Sequence, residues 1–294
     1  MGQTNTLPMP SLIQGTFWMS GALLSFVSMA IAGRELSYTL DIFQILTFRS
    51  LIALLITILV IIGIGWHVVK TDHISVHFFR NIVHFGGQFG WFLGISLLPL
   101  ATVFALEYAI PVWTALLAVL FLGERMHHAR VLAITCGIAG VVIILRPGLN
   151  VIDPAAFIVI GAAFCYAVAY ITTKSMTKTE HPLAVLFYMN LIQILLAVIP
   201  ASFVWITPSL LDVKWILLVG IGGFFSHYCL TRAFQVADTL TVIPIDFMRL
   251  PIIAIIGYFF YNEGLEIALL FGAVVIFVGN YYNIRYESVQ NKST

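Results

Sequence analysis

The chain has 294 residues, of which 61% are hydrophobic and only 9% are charged. Soluble globular proteins carry about a quarter charged residues, so this composition, with a mean hydropathy of +1.02, excludes a soluble domain and indicates a protein embedded in the lipid bilayer. Fourteen basic and thirteen acidic residues give a net charge of +1, which offers no basic surface to nucleic acid.

Apolar runs of membrane-spanning length follow one another along the chain. A bilayer core needs about 20 apolar residues per helix. The predicted spans are 12–33, 41–65, 79–97, 100–122, 129–145, 154–173, 183–205, 214–234, 240–261 and 266–284. The stretch 146–153, with proline and glycine, divides them five and five. The sequence therefore predicts an all-α membrane protein with ten transmembrane helices, built from five-helix units at 12–147 and 154–284.

The basic residues between the spans predict the orientation. With the N-terminus inside, nine lie in inner connections and three in outer ones, which predicts cytoplasmic termini. The inner residues are Lys70, Arg80, Arg125, Arg130, Lys174, Lys178, Arg232, Arg285 and Lys292; the outer ones are Arg34, Arg146 and Lys214. Because each unit has an odd number of spans, the second enters from the opposite face. The two units are then inverted repeats, an architecture suited to alternating access.

The two halves end alike. Residues 104–125 read FALEYAIPVWTALLAVLFLGER, and residues 240–264 read LTVIPIDFMRLPIIAIIGYFFYNEG. Each run has a carboxylate near its start, then a proline, then a closing glutamate. Apolar segments interrupted by proline at matching places in two halves point to the binding site of a transporter.

Four charged residues fall inside predicted spans: Arg49, Glu107, Asp246 and Arg249. From the helical rise they lie about 9 to 14 Å below a membrane surface, approaching the midplane from both sides. Charges at this depth face the interior of the bundle and are functional candidates. Pro111, four residues after Glu107, frees a backbone carbonyl that must line a cavity or find a protein partner. We expect Glu107, Asp246 and Arg249, with Arg49 as partner, to surround a solute site between the repeats.

The alternative is that the charges only stabilise packing, with Asp246 and Arg249 forming an ion pair within one helix and Arg49 pairing with Glu107. Weaker site candidates are His84, Gln88, His227 and Tyr108. Further aromatic residues could line a cavity or pack in the core: Trp91, Trp113, Tyr166, Tyr170 and Tyr188.

The GER turn at 123–125 and the segment 244–264 resemble the drug/metabolite transporter superfamily, in particular its EamA type. The resemblance implies a secondary carrier of small metabolites with ten helices, in a bacterial inner membrane. The stretch AFQVADTLTVIP at 233–244 is similar to S-adenosylmethionine carriers of intracellular bacteria, which makes an exchanger of that type an alternative. The chain departs from those carriers at Phe247 and Arg249.

Other function classes find less support. The metalloprotease, hydrolase and phosphate-loop motifs are missing, so no enzyme activity, cofactor, metal or ATP hydrolysis is expected. The pairs His73–His77 and His127–His128 fall in predicted loops and are interpreted as solvated. A channel would show a more continuous polar stripe. The sequence thus predicts a secondary-active transporter of a small polar or zwitterionic metabolite. Its partners are that metabolite, the lipid bilayer, and a coupling proton or counter-substrate.

Overall fold

The computed structural model describes residues 9–122, 126–147, 152–176, 180–237, 239–264 and 266–290. The first half contains α1 (Met9–Leu36), α2 (Ile42–Ile64), α3 (Ile74–Leu97), α4 (Leu100–Glu107), α5 (Ile110–Leu122) and α6 (His128–Leu145). The second half contains α7 (Pro154–Met176), α8 (Pro182–Phe203), α9 (Val213–Val236), α10 (Thr239–Phe247), α11 (Arg249–Tyr261) and α12 (Ile267–Gln290). A single turn of 3-10 helix, Trp66–Val69, follows α2.

The helix ends follow from local sequence. Asp41 caps α2, since its carboxylate accepts a hydrogen bond from the Phe43 amide at 2.8 Å. α8 begins with Pro182, which has no N–H to leave unsatisfied at that position. α3 ends at Leu97 and α4 begins at Leu100, so the predicted boundary at Leu98–Pro99 is confirmed.

Each predicted span coincides with one helix or with two consecutive short helices. In the part of the chain that the structure describes, nine segments are long and apolar enough to cross a membrane. α3 is not among them, because it carries the polar side chains of His77, Arg80, Asn81, His84 and Gln88. All five of these side chains are buried.

Two of the spans are broken in the middle. The first break, at Tyr108 and Ala109, separates α4 from α5, and Pro111 is the second residue of α5. The second break, at Met248, separates α10 from α11, and Pro251 is the third residue of α11. Each proline therefore stands in the first turn of the second short helix, where its missing N–H costs least. The expectation that proline interrupts these spans is confirmed.

The two halves pack against each other through corresponding helices. α1 packs on α9, and α3 packs on α7, so the first helix of each half contacts the third helix of the other. α2 packs on α8 and α6 on α12, which are equivalent spans of the two halves. Further contacts come in matching pairs: α2 with α9 and α3 with α8, and α1 with α10 and α4 with α7. The two broken spans meet through α4 and α11.

One end of the bundle is held by Glu263, just after α11. Its Oε1 pairs with Arg34 of α1 at 3.0 Å, and its Oε2 accepts from the Leu100 amide of α4 at 2.8 Å. Arg34 also donates to the Leu98 carbonyl. Beside them, the Tyr261 hydroxyl donates to Glu35 at 2.8 Å. We call Arg34, Glu35, Tyr261 and Glu263 the end clamp.

Some predicted loop residues are in fact helical and buried. Arg80 lies in α3 with 4% of its surface exposed, because Thr173 and Asn81 accept from its guanidinium. His77 is also buried and contacts Glu180 at 3.4 Å, so its interpretation as a solvated loop histidine is wrong. Arg130 lies in α6 and pairs with Glu287. The predictions for the GER turn at 123–125, for Lys178 and for Lys292 fall outside the described residues.

Candidate functional site

A polar cavity lies among helices of both halves; in this conformation it is small, with a volume of about 20 Å³. Its walls come from α1, α2, α3 and α4 of the first half and from α7 and α9 of the second. Charged, polar and aromatic side chains all contribute to it. The lining residues are Phe26, Met29, Arg49, His84, Gln88, Trp91, Phe92, Glu107, Tyr166, Tyr170 and His227.

Beside the cavity, Arg249 binds two carboxylates. It is the first residue of α11, and its Nη2 lies 2.8 Å from Asp246 Oδ2. Its Nη1 lies 3.5 Å from Glu107 Oε1, across the contact between α4 and α11. The other oxygen of Glu107 accepts from the indole N–H of Trp91 at 2.8 Å. The ion pairs thus join the two broken spans to each other and, through Trp91, to α3.

Aromatic rings enclose this charge cluster. The Arg249 guanidinium lies 4.7 Å from the ring centroid of Phe26, in the range of a cation–π contact. The Tyr108 ring stacks on Phe247 with centroids 4.0 Å apart. Its hydroxyl donates to the carbonyls of Asp246 and Phe247, at 3.3 and 3.4 Å. Those carbonyls end α10, so Tyr108 of one break satisfies backbone acceptors at the other.

Arg49 has a different environment. It is fully buried on α2, and among the described residues no carboxylate lies within ion-pair distance of it. With the Gln88 amide oriented to satisfy both neighbours, its oxygen accepts from Nη1 and Nη2 of Arg49, each at 2.9 Å. The Gln88 nitrogen then donates to Gln193 at 2.9 Å, and Gln193 donates to His84 Nδ1 at 2.8 Å. A chain of three side chains therefore orients this guanidinium.

The backbone of α9 leaves room for Arg49 at Gly223. A Cβ atom at this position would lie 2.9 Å from Arg49 Nε and 3.0 Å from its Cγ. Only glycine lets the arginine stem lie this close to the helix, which is a common use of small residues in membrane bundles.

The structure places the predicted site residues in three groups. Arg49, His84, Gln88, Glu107 and His227 line the cavity. Asp246, Arg249 and Tyr108 form the adjoining cluster without lining the cavity. Pro111 lies apart from the cavity and the cluster, in the first turn of α5.

The pairing of Arg49 with Glu107, which belonged to the packing alternative, is wrong. The contact between α4 and α11 places Arg249 beside Glu107, and Arg49 faces Gln88 instead.

Among the aromatic candidates, Trp91, Tyr166 and Tyr170 line the cavity. Trp113 instead packs on Phe164, and Tyr188 lies against His77.

Sequence reasoning missed Gln193, which is fully buried in α8 and connects Gln88 to His84. Its signal was present: Asn190 and Gln193 are amides three residues apart in an otherwise apolar run, and polar side chains in a membrane span face the interior.

Comparison with known proteins gives a consistent picture. The model of the EamA-like transporter family matches twice, at residues 13–146 and 153–285. An S-adenosylmethionine uptake transporter of Rickettsia bellii is 28% identical over 93% of this chain and 94% of its own length. A riboflavin transporter of Brucella anthropi is 30% identical over 82% of this chain and 87% of its own. One solved crystal structure superposes with a TM-score of 0.66 over 91% of this chain and 95% of that chain, at 18% identity, which supports the fold alone.

Proposed function

The chain belongs to the EamA-like transporter family, and from this premise we propose that it moves a small polar or zwitterionic metabolite through the polar cavity by alternating access. The family and the named relatives establish a multi-pass membrane protein that transports a metabolite and is not an enzyme. The mechanism, the substrate class and the role of each site residue belong to the proposal.

The observation that carries the proposal is a buried cavity lined by both signs of charge. Arg49 and Glu107 both line it, and both are at least nine-tenths buried. Charges this deep in a bilayer cost free energy and are therefore rare. Most such residues mark a solute or ion pathway. A solute with an anionic and a cationic group fits such walls, whereas a hydrocarbon does not.

We further propose that residues 12–147 and 154–284 are inverted repeats. The support is threefold: the family model matches once in each half, each half has one broken span, and corresponding helices of the two halves pack in corresponding ways. Binding sites of repeat transporters lie where the broken helices of the two repeats meet. In this chain the meeting point is the contact of α4 with α11, beside the cavity.

The proposed location is a bacterial inner membrane with both termini in the cytoplasm. The relatives are bacterial, and Lys and Arg favour the proposed inner side. Without Arg80 and Arg130, which are helical and buried, that bias is still seven residues against three. A coupling proton or a counter-substrate would supply the driving force.

An exchanger of S-adenosylmethionine is the specific candidate. Four relatives that match 90% to 94% of this chain are uptake transporters of that metabolite in Rickettsia species. S-adenosylmethionine is a zwitterion with an additional sulfonium cation and an aromatic base. The carboxylate, arginine and aromatic side chains of the cavity suit these groups.

Reconstitution into liposomes tests the function. We expect saturable uptake of labelled S-adenosylmethionine that accelerates when the lumen holds unlabelled compound and that needs no ATP. Glu107→Gln should slow flux at least about tenfold, because it removes a buried charge from the cavity wall. The control Glu266→Gln alters a carboxylate that is 53% exposed, outside the cavity, and should transport normally.

Riboflavin, the substrate of the Brucella relative, serves as the second labelled compound. Non-saturable flux without counter-exchange would indicate a channel, and flux that requires ATP with no partner protein would contradict a secondary carrier. Normal flux in the double variant Asp246→Asn with Arg249→Gln would show that this pair only stabilises packing.

A further inference from the structure

The two buried arginines near the cavity are not equivalent. Arg249 shares its charge with Glu107 and Asp246 and does not line the cavity. Arg49 lines the cavity, is fully buried, and has no carboxylate partner within the described ranges. The unneutralised positive charge in the cavity wall is therefore that of Arg49.

The hydrogen bonds of Arg49 are also incomplete. A guanidinium has five N–H donors in a planar fork. Gln88 accepts from two of them, which leaves three, and the buried Nε has no partner in the described part of the chain. An amide oxygen satisfies donors but does not neutralise the charge, and an uncompensated buried charge is strongly unfavourable. A carboxylate or phosphate that enters the cavity would accept hydrogen bonds from the remaining N–H donors and would also neutralise the charge.

The surroundings hold Arg49 ready for such a ligand. Gln88 accepts from its terminal nitrogens and is itself held by Gln193, which donates to His84. The close approach at Gly223 restricts its stem. An arginine oriented in advance loses little side-chain freedom when it binds, which favours affinity. On another wall of the same cavity, Glu107 provides negative charge.

We propose that Arg49 is the oxyanion-binding residue of this transporter and that its substrate presents a carboxylate or phosphate group to the Arg49 guanidinium. The inference rests on the proposed function, since it takes the polar cavity as the substrate site. Arg249, in contrast, is a positioning residue that holds Glu107 and Asp246.

Matched ligands test this proposal by thermal unfolding of the purified full-length protein in detergent. S-adenosylmethionine and its decarboxylated form differ only in the carboxylate. Riboflavin phosphate and riboflavin differ only in the phosphate. Sodium acetate and sodium phosphate, compared with chloride at equal ionic strength, probe the anion alone. A ligand that binds the folded state raises its melting temperature by mass action.

The variants distinguish an effect of the Arg49 charge on ligand binding from a general loss of folded structure. Arg49→Gln removes the charge, and Arg49→Lys keeps the charge without the fork. Gly223→Ala leaves Arg49 in the sequence but forces its side chain to move. Arg80→Gln is the matched control, since Arg80 is another buried arginine bound by neutral side chains but does not line the cavity. Gly161→Ala is the control for the glycine, because a Cβ there meets nothing within 4 Å.

We expect an oxyanion-bearing ligand to protect the wild type, Arg80→Gln and Gly161→Ala. Its affinity should fall about tenfold or more in Arg49→Gln and Gly223→Ala, with partial retention in Arg49→Lys. Protection by S-adenosylmethionine but not by its decarboxylated form identifies a carboxylate; protection by riboflavin phosphate but not by riboflavin identifies a phosphate. The inference is wrong if the members of each pair protect equally, or if no compound protects the wild type more than Arg49→Gln.

These failures differ from failure of the proposed function. Saturable transport that persists in Arg49→Gln would support the proposed carrier function and refute the role of Arg49. Thermal protection that depends on Arg49, without saturable flux in liposomes, would support anion binding at Arg49 and refute the proposed carrier function.

Discussion

Removing Arg249 should destabilise the protein far more than removing one of its partners. In Arg249→Gln, both Glu107 and Asp246 lose their cation while staying within the bundle. The Glu107 side chain is 10% exposed and the Asp246 side chain 21%, so Glu107 is the more costly charge to leave unpaired. Stranding a buried charge typically costs about 3 to 5 kcal/mol, and we expect Arg249→Gln to lose that much.

The carboxylate variant Asp246→Asn should have a much smaller effect. Arg249 keeps Glu107 as its counter-ion, and the asparagine oxygen can still accept from Nη2. Replacing a charged hydrogen bond by a neutral one costs about 1 kcal/mol. The double variant Arg249→Gln with Glu107→Gln should recover more than half of the loss, because it removes the more buried of the two stranded charges.

Equilibrium unfolding in detergent measures these free energies. As a control, Arg146→Gln breaks the pair with Glu266, whose members are 30% and 53% exposed, and should change stability by less than about 1 kcal/mol. Equal losses in Arg249→Gln and Asp246→Asn would refute the reasoning, as would a double variant with no recovery. Either result would mean that the contact of Arg249 with Glu107 at 3.5 Å carries no ionic stabilisation.

Three further predictions concern the ends of the bundle. Glu263→Gln weakens the end clamp at Arg34 and at the Leu100 amide, and should lower stability by about 1.5 to 3 kcal/mol in the same unfolding assay; an unchanged value would show that the clamp is not closed in solution. The Ser209 hydroxyl and amide, with Thr39, hold the pKa of Asp212 below its usual range, so its charge stabilises the fold at neutral pH and this contribution is lost as the pH falls through the lowered value. The melting difference between the wild type and Asp212→Asn should therefore be largest at neutral pH and disappear in acid, whereas a constant difference would contradict the assignment. In a background without native cysteines, single cysteines in 34–40 should react with an impermeant reagent from outside, and those in 175–181 only after permeabilisation; the reverse pattern would refute the inverted topology.

The sequence predicts the spans and their breaks well because both have local causes. Apolar length sets each helix, and proline has a fixed effect on the backbone wherever it stands. Pro111 and Pro251 thus locate the two breaks within a few residues. The four membrane-embedded charges are also evident, since any ionisable group in an apolar run is conspicuous.

The pairing of those charges could not be predicted in the same way. It depends on which helices are lateral neighbours, and a linear sequence gives depth but not azimuth. Because α4 contacts α11, Glu107 meets Arg249, and Arg49 on α2 faces α3 and α9 instead. Gln193 was missed for the same reason, as its importance depends on His84 and Gln88 lying opposite.

The polarity of α3 has a consequence for the order of membrane insertion. Arg80 finds Thr173 on α7, and Gln88 and His84 find Gln193 on α8, so helices made later in translation supply these partners. Until they emerge from the ribosome, α3 offers the translocon a segment with an arginine near its start and amides along its length, which partitions poorly into lipid on its own. The first five spans should therefore not form a stable product when synthesised alone. Co-expression of the second five spans should rescue them. Stable insertion of the first half therefore depends on synthesis of the second half.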